Sequence, residues 1–139
     1  MMKADGWPEH AMKRAIASSA KHAEAVKACV AAGVKLATGA DLNPIGPRLH
    51  AELRLLEQIG LSRLEVLRAA TAGSRELNGL GAETAPVPGS SADLIMVEGN
   101  PLDDPTILQR PRGVMAYGRF VVDPRGGVLS PPTPGPYGQ

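Results

Sequence analysis

One short run constrains this chain more than any other: it looks like a strand and has no companion. Residues 34–38, Val-Lys-Leu-Ala-Thr, lie between Gly33 and Gly39, and an acid, Asp41, follows at once. A β-rich run bounded by glycines predicts a strand. A buried strand with no neighbour leaves its N–H and C=O groups without partners. The first half of the sequence offers no second parallel strand. The chain therefore reads like one edge of a larger fold. An acid just past a strand end can be a loop carboxylate, a cap for the next helix, or a group aimed into a site.

The surrounding pattern is helical. Pro8 suits the first turn of a helix, where its missing N–H costs nothing. From there Met12, Ile16, Ala20, Ala23, Val26 and Val30 recur at three- and four-residue steps, one apolar stripe on a long helix. Gly33 is placed to supply its left-handed C-terminal cap. Helix, glycine turn and the 34–38 strand then make an αβ unit of the parallel-sheet kind. A second helix is predicted from about Arg48 to Ile59, with Leu49, Leu53 and Leu56 on its buried face and Gly60 at its end. Ser62 and Glu65 form an S-x-x-E capping box, with Leu61 placed to staple against Val66. That third helix is expected to turn Leu64, Leu67 and Thr71 inward. A further short one, about 73–78, stops at Gly79.

Beyond residue 80 the character changes. "GLGAETAPVPGSS" is a loop by its Gly, Pro and Ser content. "ADLIMVEGN" predicts a strand and "NPLDDPTIL" a turn, in which Asp103 and Asp104 serve the backbone. "VMAYGRFVV" predicts a hairpin with Tyr117-Gly118 near its tip. After Asp123 the Pro- and Gly-rich tail has too little apolar content to order itself. The organisation expected is 1–79, 80–123 and a disordered 124–139.

Composition excludes several classes of function. The net charge is +1 with acids and bases interspersed, which lacks the basic footprint of a nucleic-acid or anionic-membrane partner. No apolar run approaches the roughly 18 residues of a membrane span. The single cysteine, Cys29, permits no internal disulfide, and "MMKADGWPEHAMKR" lacks the apolar core of a signal peptide. A cytoplasmic setting is expected. Cys29 lies in the apolar stripe and is expected in the core. His10 and His22 fall among charged residues of the first helix, on a solvated face. His50 opens the second helix in a packing or hydrogen-bonding role.

Four blocks, "AGVKLATGADLNP", "LHAELRLLEQIGLSRLEVLRAATAGSRELNGLG", "PGSSADLIMVEGNPLDDPTIL" and "VMAYGRFV", resemble the C-terminal third of metal-dependent amidohydrolases. The branch is that of imidazolonepropionase and the Xaa-Pro dipeptidase-like enzymes. The blocks occur in the family's order and cover roughly residues 8–122. Two positions depart from the family pattern. Ala40 stands where Thr is usual before the acid, and Ser90 where Lys is common.

The resemblance implies an α/β fold: the last strand and following helices of a (β/α)8 barrel, plus part of a small flanking β-sandwich. It implies that 34–38 is the eighth barrel strand and that Asp41 stands at the barrel's active face as catalytic acid–base and metal ligand. The implied metal is divalent, typically zinc, activating a water that attacks a carbon–nitrogen bond of a small-molecule amide or dipeptide. Asn43 and Arg48, in the loop above, become candidates for substrate binding. The family's His-x-His pair and its other ligands fall upstream of the matched blocks. His10, His22 and His50 form no such pair, and a single ligand position would not hold zinc. The chain alone is therefore expected to be inactive and to hold no metal. It is expected to need a complementing N-terminal segment or an oligomeric partner. A non-catalytic interaction or structural chain is the other reading.

Overall fold

The computed structural model describes residues 8–41, 43–81, 85–123 and 125–126. The tail expected to be disordered lies almost wholly outside the described residues. The architecture is mixed: a set of helices followed by a small antiparallel sheet.

Helix α1 spans Glu9–Ala31, with Pro8 at its N-cap. It ends as the sequence predicts. Gly33 takes φ +76°, its N–H donates to the Val30 carbonyl, and the Val34 N–H reaches back to Cys29, both at 2.9 Å. These two bonds are the Schellman closure that a left-handed glycine permits. The apolar stripe of α1, by contrast, finds no core. No residue of the helix is buried, Ile16 is 66% exposed, and Cys29 is exposed rather than interior. Only the C-terminal end docks, through Val30. The periodicity identified a face, but the described residues supply no layer to cover it.

Helix α2 spans Ile45–Gln58 and starts three residues earlier than predicted. Pro47 falls in its first turn, where backbone N–H groups have no intrahelical acceptor, so proline is tolerated there. Gly60 closes the helix by the same device as Gly33, the Leu61 N–H donating to Leu56 at 3.2 Å. Leu61 then serves a second end. It precedes Ser62, the N-cap of α3 (Arg63–Arg68), and stands five places before the inward Val66.

The capping box is formed as expected. The Ser62 hydroxyl accepts the Glu65 N–H at 3.3 Å, and the Glu65 carboxylate accepts the Ser62 N–H at 2.7 Å. Hydrogen bonds from the Ser62 hydroxyl and backbone hold the Glu65 carboxyl below its ordinary range. Leu53, Leu61 and Val66 form the core, with Val30, Leu36, Leu49, Leu56 and Leu108 packed around them. The predicted inward face of α3 needs correction. Val66 and Ala69 are buried, whereas Leu64 and Thr71 are exposed and Leu67 is half-buried. The staple rotates the helix so that Val66 faces Leu61, and the Leu64 stripe turns away.

The helix then widens into one π turn, Ala69–Gly73, and resumes as α4, Ser74–Leu77, ending at Gly79. The sheet has the order β1 (Leu94–Met96), β2 (Gly113–Ala116), β3 (Arg119–Val122), antiparallel throughout. Tyr117 and Gly118 form the hairpin tip with φ +51° and +75°, the paired left-handed conformation of a type I′ turn. Asp93 accepts the Tyr117 N–H at 2.8 Å and pins that tip to the start of β1. Asp104 accepts the Thr106 N–H at 2.9 Å and caps a single 3₁₀ turn, Pro105–Gln109. This is the backbone role the sequence predicts for it. Two arginines tie sheet to helices. Arg63 donates to the Leu102 and Asp103 carbonyls, and Arg75 to Ser91 and to the Leu80 carbonyl. No helix among the described residues is long and apolar enough to cross a membrane.

Candidate active site

The segment 34–38 is extended but belongs to no sheet, so the predicted parallel αβ unit does not form among the described residues. The physical reason is the one the sequence raises: there is no adjacent strand. The segment is instead fastened by side chains and by close backbone approach. The Thr38 N–H donates to the Ser74 hydroxyl at 3.3 Å, and that hydroxyl donates to the Ala69 carbonyl at 2.8 Å. The Gly39 N–H meets both carboxylate oxygens of Glu52, at 3.1 and 3.3 Å. Lys35 pairs with Glu76. Gly73 lies so close that a Cβ built on it would stand 2.0 Å from the Leu36 carbonyl oxygen. Only glycine fits there.

At the end of this fastened segment sits Asp41, exposed, with φ +55°. Aspartate is among the few non-glycine residues that enter the left-handed region readily. Asn43 is exposed beyond the turn. Arg48, half-buried on α2, donates its Nε to the Asn43 carbonyl at 3.2 Å. The structure thus brings two of the predicted residues together through the Asn43 backbone and the Arg48 side chain. His50 and Arg54 line a separate shallow cavity of about 310 Å³ with Gly46, Pro47 and Gln109. His10 and His22 are exposed on α1.

Among the described residues there is no group of three or more His, Cys, Asp or Glu side chains that could hold an ion. The residues present do not make a metal site by themselves.

Sequence reasoning missed Glu52, Gly73 and Ser74. A signal for the first was available. Leu49, Glu52, Leu53 and Leu56 share a face by i, i+3, i+4, i+7 spacing, so a carboxylate there points toward the packed side and needs a partner. Gly73 and Ser74 carried none, because the π turn that aims them has no signature in composition.

The overall backbone resembles that of solved structures. A solved prolidase in complex with N-methylphosphonate-L-proline superposes with a TM-score of 0.69 at 28% identity, over 84% of this chain and 30% of that one. A second solved structure of that same protein, there described as uncharacterised, matches over the same shares with a TM-score of 0.68, also at 28% identity. No family model matches the chain. These likenesses support a relationship to the C-terminal part of amidohydrolase-family proteins. A curated relative is the ochratoxinase of Aspergillus niger, 35% identical over 98 residues, which are 67% of this chain and 20% of that enzyme. This chain spans about a fifth of the length of the curated relatives it matches.

Proposed function

We propose that this chain forms the C-terminal part of a hydrolase that cleaves a carbon–nitrogen bond in a small-molecule amide or dipeptide, with Asp41 as catalytic carboxylate. The observation that supports this most is the placement of Asp41. It stands in a left-handed conformation at the end of a side-chain-fastened segment, within a backbone like that of a prolidase in complex with N-methylphosphonate-L-proline. A phosphonate on a proline nitrogen has the tetrahedral shape of an amide under attack by water. A carboxylate beside such an amide can take the proton of the attacking water and return it to the leaving nitrogen. Asn43, just before α2, and Arg48, in its first turns, would contact the substrate.

A divalent metal, zinc by family resemblance, belongs to the proposal for the whole enzyme only. Asp41 would be one ligand, and the others would come from a complementing N-terminal segment. In the same reading, 1–79 completes a barrel and 80–123 completes a β-sandwich. The setting would be cytoplasmic.

The test is Asp41→Asn in the completed enzyme. Asparagine keeps the size and one oxygen but neither charge nor basicity. A catalytic role predicts a fall in kcat of at least about 100-fold with the fold intact. If the residue only shapes the turn, asparagine is nearly as good and kcat survives. A second reading, a non-catalytic chain acting through a partner, is favoured by exposed apolar residues such as Ile16, Leu64 and Ile95. A folded, monodisperse chain whose apolar faces are protected only when a partner is bound would support it.

A further inference from the structure

The segment leading to Asp41 is held on one side by groups far away in sequence, and the last of them is a carboxylate. We infer that Glu52 is a positioning residue for Asp41, assisted by Ser74, and sets the place and direction of that side chain. This rests on the catalytic reading of Asp41 proposed above.

A half-buried glutamate on the packed side of α2 is costly unless a donor meets it. Among the described residues Glu52 makes no ion pair, and the donor it meets is the Gly39 N–H, bridged by both oxygens. A hydrogen bond to an ionised acceptor is about twice as strong as a neutral one. Gly39 is two residues from Asp41, whose φ of +55° is a conformation an untethered chain would readily leave. One residue earlier, the Ser74 hydroxyl accepts the Thr38 N–H and donates its own O–H to the carbonyl of Ala69 in the π turn. Gly73, beside it, lets the Leu36 backbone lie against that turn. Side chains from α2 and α4 thus satisfy successive N–H groups of the segment. The turn that follows starts from a fixed point, and so does the Asp41 carboxylate. Misplacement of a catalytic group by about 1 Å can cost on the order of 100-fold in rate.

Two measurements test this. The first is amide hydrogen exchange on the 139-residue chain, wild type against Glu52→Ala, Glu52→Gln and Ser74→Ala. Alanine is the better helix former, so α2 persists. The Gly39 amide is expected to exchange about 10-fold faster in Glu52→Ala, with most protection restored in Glu52→Gln. Ser74→Ala is expected to deprotect Thr38. An unprotected Gly39 in the wild type, or unchanged exchange in Glu52→Ala, overturns the inference.

The second is steady-state kinetics of the completed enzyme with Asp41→Asn run alongside. Glu52→Ala is expected to lower kcat by about 10- to 100-fold with KM within about 2-fold, and Glu52→Gln to recover most of the loss. A rise in KM at constant kcat, or glutamine as poor as alanine, overturns it. If Asp41→Asn abolishes turnover while Glu52→Ala does not, the positioning role alone fails. If Asp41→Asn is harmless, the catalytic reading fails and this inference with it.

Discussion

The helical half and the sheet of this molecule are built with similar care locally and to opposite effect globally. Around α2 and α3, caps, staple and apolar face converge, and the buried apolar residues Leu53, Leu61, Val66 and Ala69 all lie there. The sheet has a well-formed type I′ tip, a tethered Tyr117 and a regular β1–β2 register. Yet β1 is exposed along its whole length, Ile95 at 56%. Good local geometry orders a backbone, but stability comes from apolar area removed from water, and only the helical half removes much of it. An apolar edge strand left in this state is an association hazard.

The sharpest way to break this comparison is at Gly73. Because a Cβ there would meet the Leu36 backbone, Gly73→Ala should destabilise the helical half by about 3 kcal/mol or abolish its cooperative transition in urea. A harmless substitution would mean that the segment before Asp41 does not rest on the π turn. Next comes a matched pair. Val66→Ala, at a site 2% exposed, should cost about 2 kcal/mol, whereas Ile95→Ala should cost less than about 0.5 kcal/mol in the same denaturation assay. Equal costs would show the sheet packed against something in solution and erase the contrast.

Ile95→Lys should leave the helical half intact and reduce light scattering on concentration, since a charged edge strand resists pairing with another. The smallest effect is a pH response. Glu65 has a lowered pKa in the fold, so the stability it contributes is fully present above its ordinary value of 4.5 and lost as pH falls through the depressed one. Exchange at the first turn of α3 should rise in that acid window, and Glu65→Gln should flatten the response.

The contrast also marks what could be read from residues alone. Gly33, Gly60 and Gly79 ended helices as expected, Ser62 and Glu65 made their box, and Tyr117-Gly118 made the hairpin tip. Each is a bond between residues a few places apart. The inward face of α3 was misjudged, because Leu64, Leu67 and Thr71 have a plausible spacing but Leu61 decides the rotation. Cys29 was misjudged because a stripe says which side is apolar and not whether anything covers it. In the candidate site, Asp41 stood out by its place after a strand-like run. Glu52 was hidden in a leucine face and Ser74 in a helix end.

By itself, then, the sequence determined the elements that close on themselves: capped helices, a tight hairpin, and a run of extended chain ending in an acid. Their determinants are short-range hydrogen bonds and backbone preferences, which act before any long-range contact forms. Tertiary structure decided which apolar faces became core and that the 34–38 run is clasped by Ser74, Glu52 and Gly73 rather than paired in a sheet. The clasping groups lie 13 to 37 residues away along the chain. No local pattern encodes which distant hydroxyl or carboxylate will meet a given N–H; packing alone brings them within reach.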